Sequence, residues 1–291
     1  AGIKSSPQKE TFLLRGARVL SGGEDHGRPA VFIQGGRIAA IGPEASRQAR
    51  GSGCRRLNLS GYTLAPGFVD LHTHGAAGVD FVEATAEEFE FAMRHYLAHG
   101  VTSLLVSLYP SSWARSLKVL QRVSGFIRQG HGLGVAFGIH LEGPFVSPAR
   151  PGALPRSHFR RPSIRELRQL LAAGDGLVRT MTLAPELKGG KGLVSFCRKN
   201  GVVPAFGHSN SDYEQTRAAI SHGVRYATHL FNAMNGIHHR APGAVTALLE
   251  DQRVSVEVIS DGHHVDPPAL RLINRLKNED RVILVSDSIQ A

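Results

Sequence analysis

The sequence predicts an α/β fold, a (β/α)8 TIM barrel preceded by a small N-terminal β-sandwich module. Three observations carry this. From Pro66 onward, β-branched runs alternate with amphipathic stretches, and strand starts at Phe68, Thr102, Val135, Val178, Val202, Tyr226, Val254 and Val282 make eight. Eight alternations in roughly 225 residues suit a barrel, whose usual length is about 250. No G-x-G-x-x-G turn follows a strand, which argues against a doubly wound open sheet.

Residues 1–64 are assigned to the β module and 65–291 to the barrel. Within the module, Phe12-Leu13-Leu14, Arg18-Val19-Leu20, Val31-Phe32-Ile33 and Arg37-Ile38-Ala39-Ala40-Ile41 are strand candidates. Glycine-rich turns separate them at Ser21-Gly22-Gly23 and Gln34-Gly35-Gly36, the second a hairpin. No helical periodicity appears, so only strands are expected. A few short strands make a poor stand-alone core, which implies an incomplete sandwich. In the barrel, helices are expected over 86–99, 112–128, 163–172, 191–199, 212–222, 244–249 and 267–276. Thr85-Ala86-Glu87-Glu88, and Ser163 with Glu166 three residues on, are N-terminal capping signals. Only four residues follow Asp287 at the end of the eighth strand, and the chain lacks an initiator Met. It therefore reads as a C-terminally truncated fragment, without the closing helix or a return to the β module.

Of the 291 residues, 42% are hydrophobic and 20% charged, as in a soluble globular protein. No apolar run approaches the ~18 residues of a membrane span. Residues 1–10 are polar and carry no signal-peptide core, so a cytoplasmic protein is expected, with no membrane partner. Cys54 and Cys197 have no partner motif and read as reduced thiols. The net charge of +10 invites a nucleic-acid reading. The arginines are spread out, however, and the small groups at 156–161 and 271–277 have no interleaved aromatics. A solvated basic surface is expected, with no nucleic acid bound, and it favours an anionic small substrate.

Six residues carry the chemistry: His72, His74, Glu142, His208, His229 and Asp287. Each stands where a strand-like run ends, at 67–71, 135–141, 202–207, 226–228 and 282–286. In a parallel barrel these ends meet at the C-terminal mouth, where such folds keep their active sites. His72 and His74 flank Thr73 and so share one side of a strand. Glu142, His208 and His229 offer a carboxylate and two imidazoles, a donor set that suits Zn2+ and leaves a position for water. A bound dication lowers the pKa of that water from about 15.7 towards 7, making a metal-bound hydroxide. Singly, each residue has a bland reading: a carboxylate paired with arginine, or a satisfied core histidine. Their shared address at strand ends favours the metal. Asp287 is placed as the general base, with an N-cap on the following loop as its bland alternative.

The motifs resemble a known family. Ala65-Pro66-Gly67-Phe68-Val69-Asp70 ahead of His72-Thr73-His74 resembles the first barrel strand of the amidohydrolase superfamily, P-G-[F/L]-[I/V]-D-x-H-x-H. His140-Leu141-Glu142-Gly143-Pro144-Phe145 is similar to the H-L-E-G-P-[F/W] signature of the N-acetylglucosamine-6-phosphate deacetylase family. Leu183-Ala184-Pro185-Glu186, Gly207-His208-Ser209, Thr228-His229-Leu230-Phe231-Asn232-Ala233-Met234, Asp261-Gly262-His263-His264 and Leu284-Val285-Ser286-Asp287 resemble its remaining motifs, in the same order.

The resemblance implies metal-dependent hydrolysis of the acetamide of N-acetylglucosamine 6-phosphate to glucosamine 6-phosphate and acetate. It implies one essential ion, Zn2+ or another divalent transition metal such as Fe2+, on Glu142, His208 and His229. His72 and His74 could hold a second, and Asp287 shuttles the proton. It also implies that the Asn232 side chain and the Ala233 N–H hold the sugar phosphate, and that His264 touches the sugar, with His263 incidental. Arg240 would reach the phosphate from a neighbouring subunit, which implies a homodimer. The chain departs from the pattern at Leu154, where the family carries a histidine that polarises the acetyl carbonyl. His158, four residues on, could substitute if the loop were re-threaded. Two alternatives remain open: an amidohydrolase for another N-acyl or cyclic amide, or a catalytically weak metal-binding remnant.

Overall fold

The computed structural model describes residues 10–291, so the polar segment 1–10 lies outside the described residues except for Glu10. Two compact units are present, one ending at Gly67 and one running from Phe68 to Ala291.

In the first unit a four-stranded sheet has the order Arg37–Ile41, Val31–Gln34, Phe12–Arg15, Arg55–Asn58. A three-stranded sheet has the order Glu24–Asp25, Arg18–Ser21, Thr63–Leu64. The expected hairpin is present: Gln34 pairs with Arg37, and Gly35 and Gly36 take φ of 61° and 75°. Two left-handed residues in a two-residue loop match the twist of the flanking strands. Leu13 and Phe32 pack with Ala45 and Ala49 in one small core, and Leu14, Val19 and Val31 form another.

The strands-only expectation for this unit needs correction, because Pro43–Gln48 is a helix. Six residues are too few to show a helical period. Pro43 opens the helix at a position that tolerates its missing N–H, and Ala45 is the residue it buries. Arg55–Asn58 was also not anticipated. Its sequence Arg-Arg-Leu-Asn does not alternate, and it is a strand because its backbone pairs in parallel with Phe12–Arg15.

The second unit alternates strand and helix throughout: β1 (Phe68–Thr73), α1 (Ala86–Ala98), β2 (Val101–Leu108), α2 (Trp113–Gln129), β3 (Ala136–Glu142), α3 (Ile164–Ala173), β4 (Val178–Leu183), α4 (Gly190–Lys199), β5 (Val203–Phe206), α5 (Tyr213–His222), β6 (Tyr226–Ala227), α6 (Ala244–Glu250), β7 (Ser255–Ile259), α7 (Pro267–Leu276) and β8 (Val282–Val285). The eight strands are parallel and neighbour one another in chain order. The sheet curls round until its ends meet just past β8. There the Asp287 N–H donates to the His72 carbonyl at 2.9 Å, and the His74 N–H donates to the Ser288 carbonyl at 2.7 Å. The Ser286 hydroxyl donates to Asp70 on β1 at 2.5 Å. Closure therefore falls at the C-terminal mouth, where the candidate residues stand.

Strand interiors such as Leu104, Val106, Ile139 and Met181 are fully buried, which is why they read as near-continuous apolar runs. The helices begin at the residues the sequence marks. Thr85 and Asp212 each form a reciprocal capping box. Ser163 caps α3 by accepting from the Glu166 N–H, but the Glu166 side chain binds Arg160 instead of returning to the cap. Among the described residues no helix is long and apolar enough to cross a membrane, and both cysteines are free.

Candidate metal centre

The barrel brings the six candidate ligands into two adjoining triads. In the first, His208 Nε2 and His229 Nε2 lie 3.0 and 3.1 Å from Glu142 Oε1, and 3.1 Å from each other. In the second, His72 Nε2 is 3.2 Å from His74 Nε2 and 3.4 Å from Asp287 Oδ1, and His74 Nε2 is 3.5 Å from that oxygen. Glu142 joins the two, with Oε2 at 3.2 Å from His74 Nε2 and Oε1 at 3.6 Å from His72 Nε2. All are buried except Asp287, whose side chain keeps 20% of its exposure.

These positions come at a backbone cost. His208, His229 and Asp287 have φ of 46°, 27° and 47° as the chain turns out of β5, β6 and β8. Left-handed non-glycine backbone is uncommon and clusters at functional sites. Three of six candidate ligands in that conformation indicate a mouth shaped around what it holds.

The electrostatics ask for positive charge. Burial opposes ionisation of Glu142, yet His72 and the hydrogen bonds from His208 and His229 hold its carboxyl well below the usual range. Burial likewise opposes a proton on His72, but Glu257, Asp287 and Glu142 outweigh it and keep the imidazole protonated well above the usual range. Histidine nitrogens in contact at 3.1 and 3.2 Å face each other lone pair to lone pair unless a proton or a metal cation sits between them. Nitrogen and oxygen donors converging in this way fit a divalent transition metal ion.

A cavity of about 570 Å3 opens over the triads. His74, Glu142, His208, His229 and Asp287 line it, while His72 lies behind them with no exposure. Asn232, Ala233 and His264 also reach it. The Asn232 Nδ2 is buried without a hydrogen-bond partner, and His264 is held by Asp261, which accepts from its Nδ1 at 2.8 Å. Arg240 is exposed and does not line this cavity, and neither do His263 and His158. Leu154 does line it, so no donor side chain stands at that position.

Two further features escaped the sequence reading. Tyr109 and Asp80 line the cavity, with the Tyr109 hydroxyl donating to Asp80 at 2.7 Å. Glu257, wholly buried on β7, receives His72 Nδ1 at 3.0 Å. A signal for Glu257 was available: a carboxylate in the apolar strand Ser-Val-Glu-Val-Ile needs buried partners. Nothing in the sequence set Tyr109 apart.

The family description "Amidohydrolase family" matches residues 63–291. This chain belongs to the amidohydrolase family. It falls among that family's N-acetylglucosamine-6-phosphate deacetylases. The human N-acetylglucosamine-6-phosphate deacetylase is 36% identical over 290 residues, covering 96% of this chain and 68% of the relative. An N-acetylgalactosamine-6-phosphate deacetylase of Escherichia coli is 36% identical over 284 residues, covering 97% and 72%. Among solved structures, the Mycobacterium smegmatis N-acetyl-D-glucosamine-6-phosphate deacetylase in complex with N-acetyl-D-glucosamine-6-phosphate superposes with a TM-score of 0.86 at 38% identity. That match covers 97% of this chain and 72% of the other. Amidohydrolases are metal-dependent, and either triad could hold an ion.

Proposed function

We propose that this amidohydrolase removes acetate from N-acetylglucosamine 6-phosphate, giving glucosamine 6-phosphate. The observation that carries the reading is the approach of Glu142, His208 and His229 to within 3.0–3.1 Å, with Asp287 beside them at the rim of a sugar-sized cavity. In this reading Glu142, His208 and His229 hold Zn2+, with Fe2+ as the other candidate, and His72 and His74 are available for a second ion. A bound dication supplies Lewis acidity towards the amide carbonyl and lowers the pKa of water in contact with it. Asp287 takes the proton released as water adds to the carbonyl carbon. It returns that proton to the nitrogen as the C–N bond breaks, so acetate and the free amine leave. Asn232, through its unpartnered Nδ2, and the Ala233 N–H bind the phosphate, and His264, steadied by Asp261, meets the sugar.

The exposed Arg240 is available to a neighbouring subunit, so a homodimer is part of the proposal. Its planar fork suits a phosphate. The free thiols Cys54 and Cys197 and a phosphorylated substrate fit a cytoplasmic setting. Residues 65–291 form the catalytic domain in this reading and 1–64 a separate one.

Leu154 favours a second reading, in which another N-acyl sugar phosphate is the preferred substrate. Acetate release from N-acetylglucosamine 6-phosphate, its galactosamine counterpart and unphosphorylated N-acetylglucosamine, each with and without Zn2+, tests both. Metal-dependent release confined to the phosphorylated sugars is expected. Equal rates with and without the phosphate would refute the proposal, and a preference for the galactosamine compound would select the second reading.

A further inference from the structure

Glu257 lies mid-strand in β7 between Val256 and Val258, with no exposure. A carboxylate there is costly unless fully hydrogen-bonded. Its partners all come from elements that carry candidate ligands. Oε2 accepts from His72 Nδ1 at 3.0 Å and from the His229 backbone N–H at 3.1 Å, and Oε1 accepts from the Tyr226 hydroxyl on β6 at 2.6 Å. One carboxylate oxygen thus serves a ligand from each triad.

The geometry fixes what His72 can do. An ionised carboxylate only accepts, so Nδ1 keeps its proton towards Glu257, and Nε2 is the nitrogen that gives up its proton when a cation binds. That Nε2 stands 3.2 Å from His74 Nε2 and 3.4 Å from Asp287 Oδ1. A carboxylate behind a histidine ligand sets its tautomer and ring orientation and raises its basicity. The same oxygen also anchors the backbone of His229, whose φ of 27° needs surroundings that hold it.

We propose that Glu257 is a positioning residue for a pair of cations. It holds His72 ready for an ion shared with His74 and Asp287, and through His229 it ties that ion to the one on Glu142, His208 and His229. A plain structural ion pair would need neither the choice of nitrogen on His72 nor the bond to His229. The inference rests on the metal-dependent reading above, but its test is independent of turnover.

The 291-residue chain, stripped of metal, is titrated with Co2+, following stoichiometry, affinity and the visible spectrum, with thermal melting in parallel. Wild type is expected to take up two ions. In Glu257→Gln the amide oxygen can still accept from the His229 N–H, so the first ion should change little in affinity, while the second should bind roughly 10- to 100-fold more weakly. Tyr226→Phe, which leaves Oε2 untouched, should show a smaller loss confined to the second ion. Should Glu257→Gln fail to fold, Glu257→Asp decides, with the charge retained one methylene short and the second ion again selectively weakened. Unchanged second-ion affinity in the variant that folds, equal weakening of both ions, or a wild type that binds a single ion would each overturn the proposal. Two ions with the expected Glu257 dependence but no acetate release would instead count against the proposed function alone.

Discussion

Asp287 occupies a left-handed backbone position at the seam of the barrel, its N–H spent on the His72 carbonyl and its carboxylate beside His72 and His74. A fixed carboxylate at that point can move a proton, whereas an amide of the same shape cannot. Asp287→Asn is therefore expected to lower kcat by about 100- to 10,000-fold while the ion on Glu142, His208 and His229 stays bound. Rates beside metal content measure this, and full activity would remove Asp287 from the mechanism. Leu154 makes the opposite prediction. It lines the cavity and donates nothing, and a well-placed donor to the developing oxyanion is worth about 100- to 1,000-fold. Leu154→His is expected to raise kcat on N-acetylglucosamine 6-phosphate towards that range. No gain would mean that the cavity already provides the donor elsewhere. The six candidate ligands were legible because each stands at the end of an apolar run, where polar residues need a reason. Glu257 and Tyr109 were not read, because their roles depend on partners more than 25 residues away that only closure of the barrel brings near.

Local chemistry sets the helices with little help from the rest of the fold. Thr85 accepts from the Glu88 N–H while the Glu88 side chain returns to the Thr85 N–H at 2.8 Å. Thr85→Ala is expected to cost about 1 kcal/mol of stability, read by urea denaturation. At the other end of a helix, Asp251 terminates α6 and accepts from the guanidinium and N–H of Arg253. Mainly through the Arg253 side chain, its carboxyl is lowered to about 2. A depressed carboxylate stabilises the fold above its ordinary pKa near 3.8 and loses that contribution as pH falls through 2. Arg253 is exposed while the Asp251 side chain keeps 21% of its exposure, and solvent screening on the Arg253 side holds the effect to about 1 kcal/mol. The stability gap between wild type and Asp251→Asn should be present at pH 6 and vanish near pH 2; a gap independent of pH would show that the charge is irrelevant. Caps and apolar periods placed all seven barrel helices to within about two residues, as such signals allow. The short helix Pro43–Gln48 and the strand Arg55–Asn58 escaped, one too brief to show a period and the other held by pairing alone.

The barrel turns eight separate segments into one site, and its closure is also its chemistry. The hydrogen bonds that join β8 to β1, from Asp287 to His72 and from His74 to Ser288, run through candidate ligands. Asp70, buried beneath them, takes both the Ser286 hydroxyl and its N–H. Folding therefore gathers Glu142, His208 and His229 whether or not substrate is present, and the central claim is that this gathered set grips a dication. Equilibrium dialysis of the folded chain against Zn2+, beside Glu142→Ala, His208→Ala and His229→Ala, tests it most directly. At least one tightly held ion per chain is expected in wild type, lost or greatly weakened in each variant, with acetate release vanishing alongside it. A correctly folded chain that takes up no divalent transition ion, or one whose stoichiometry and affinity are unchanged by all three substitutions, would contradict the claim.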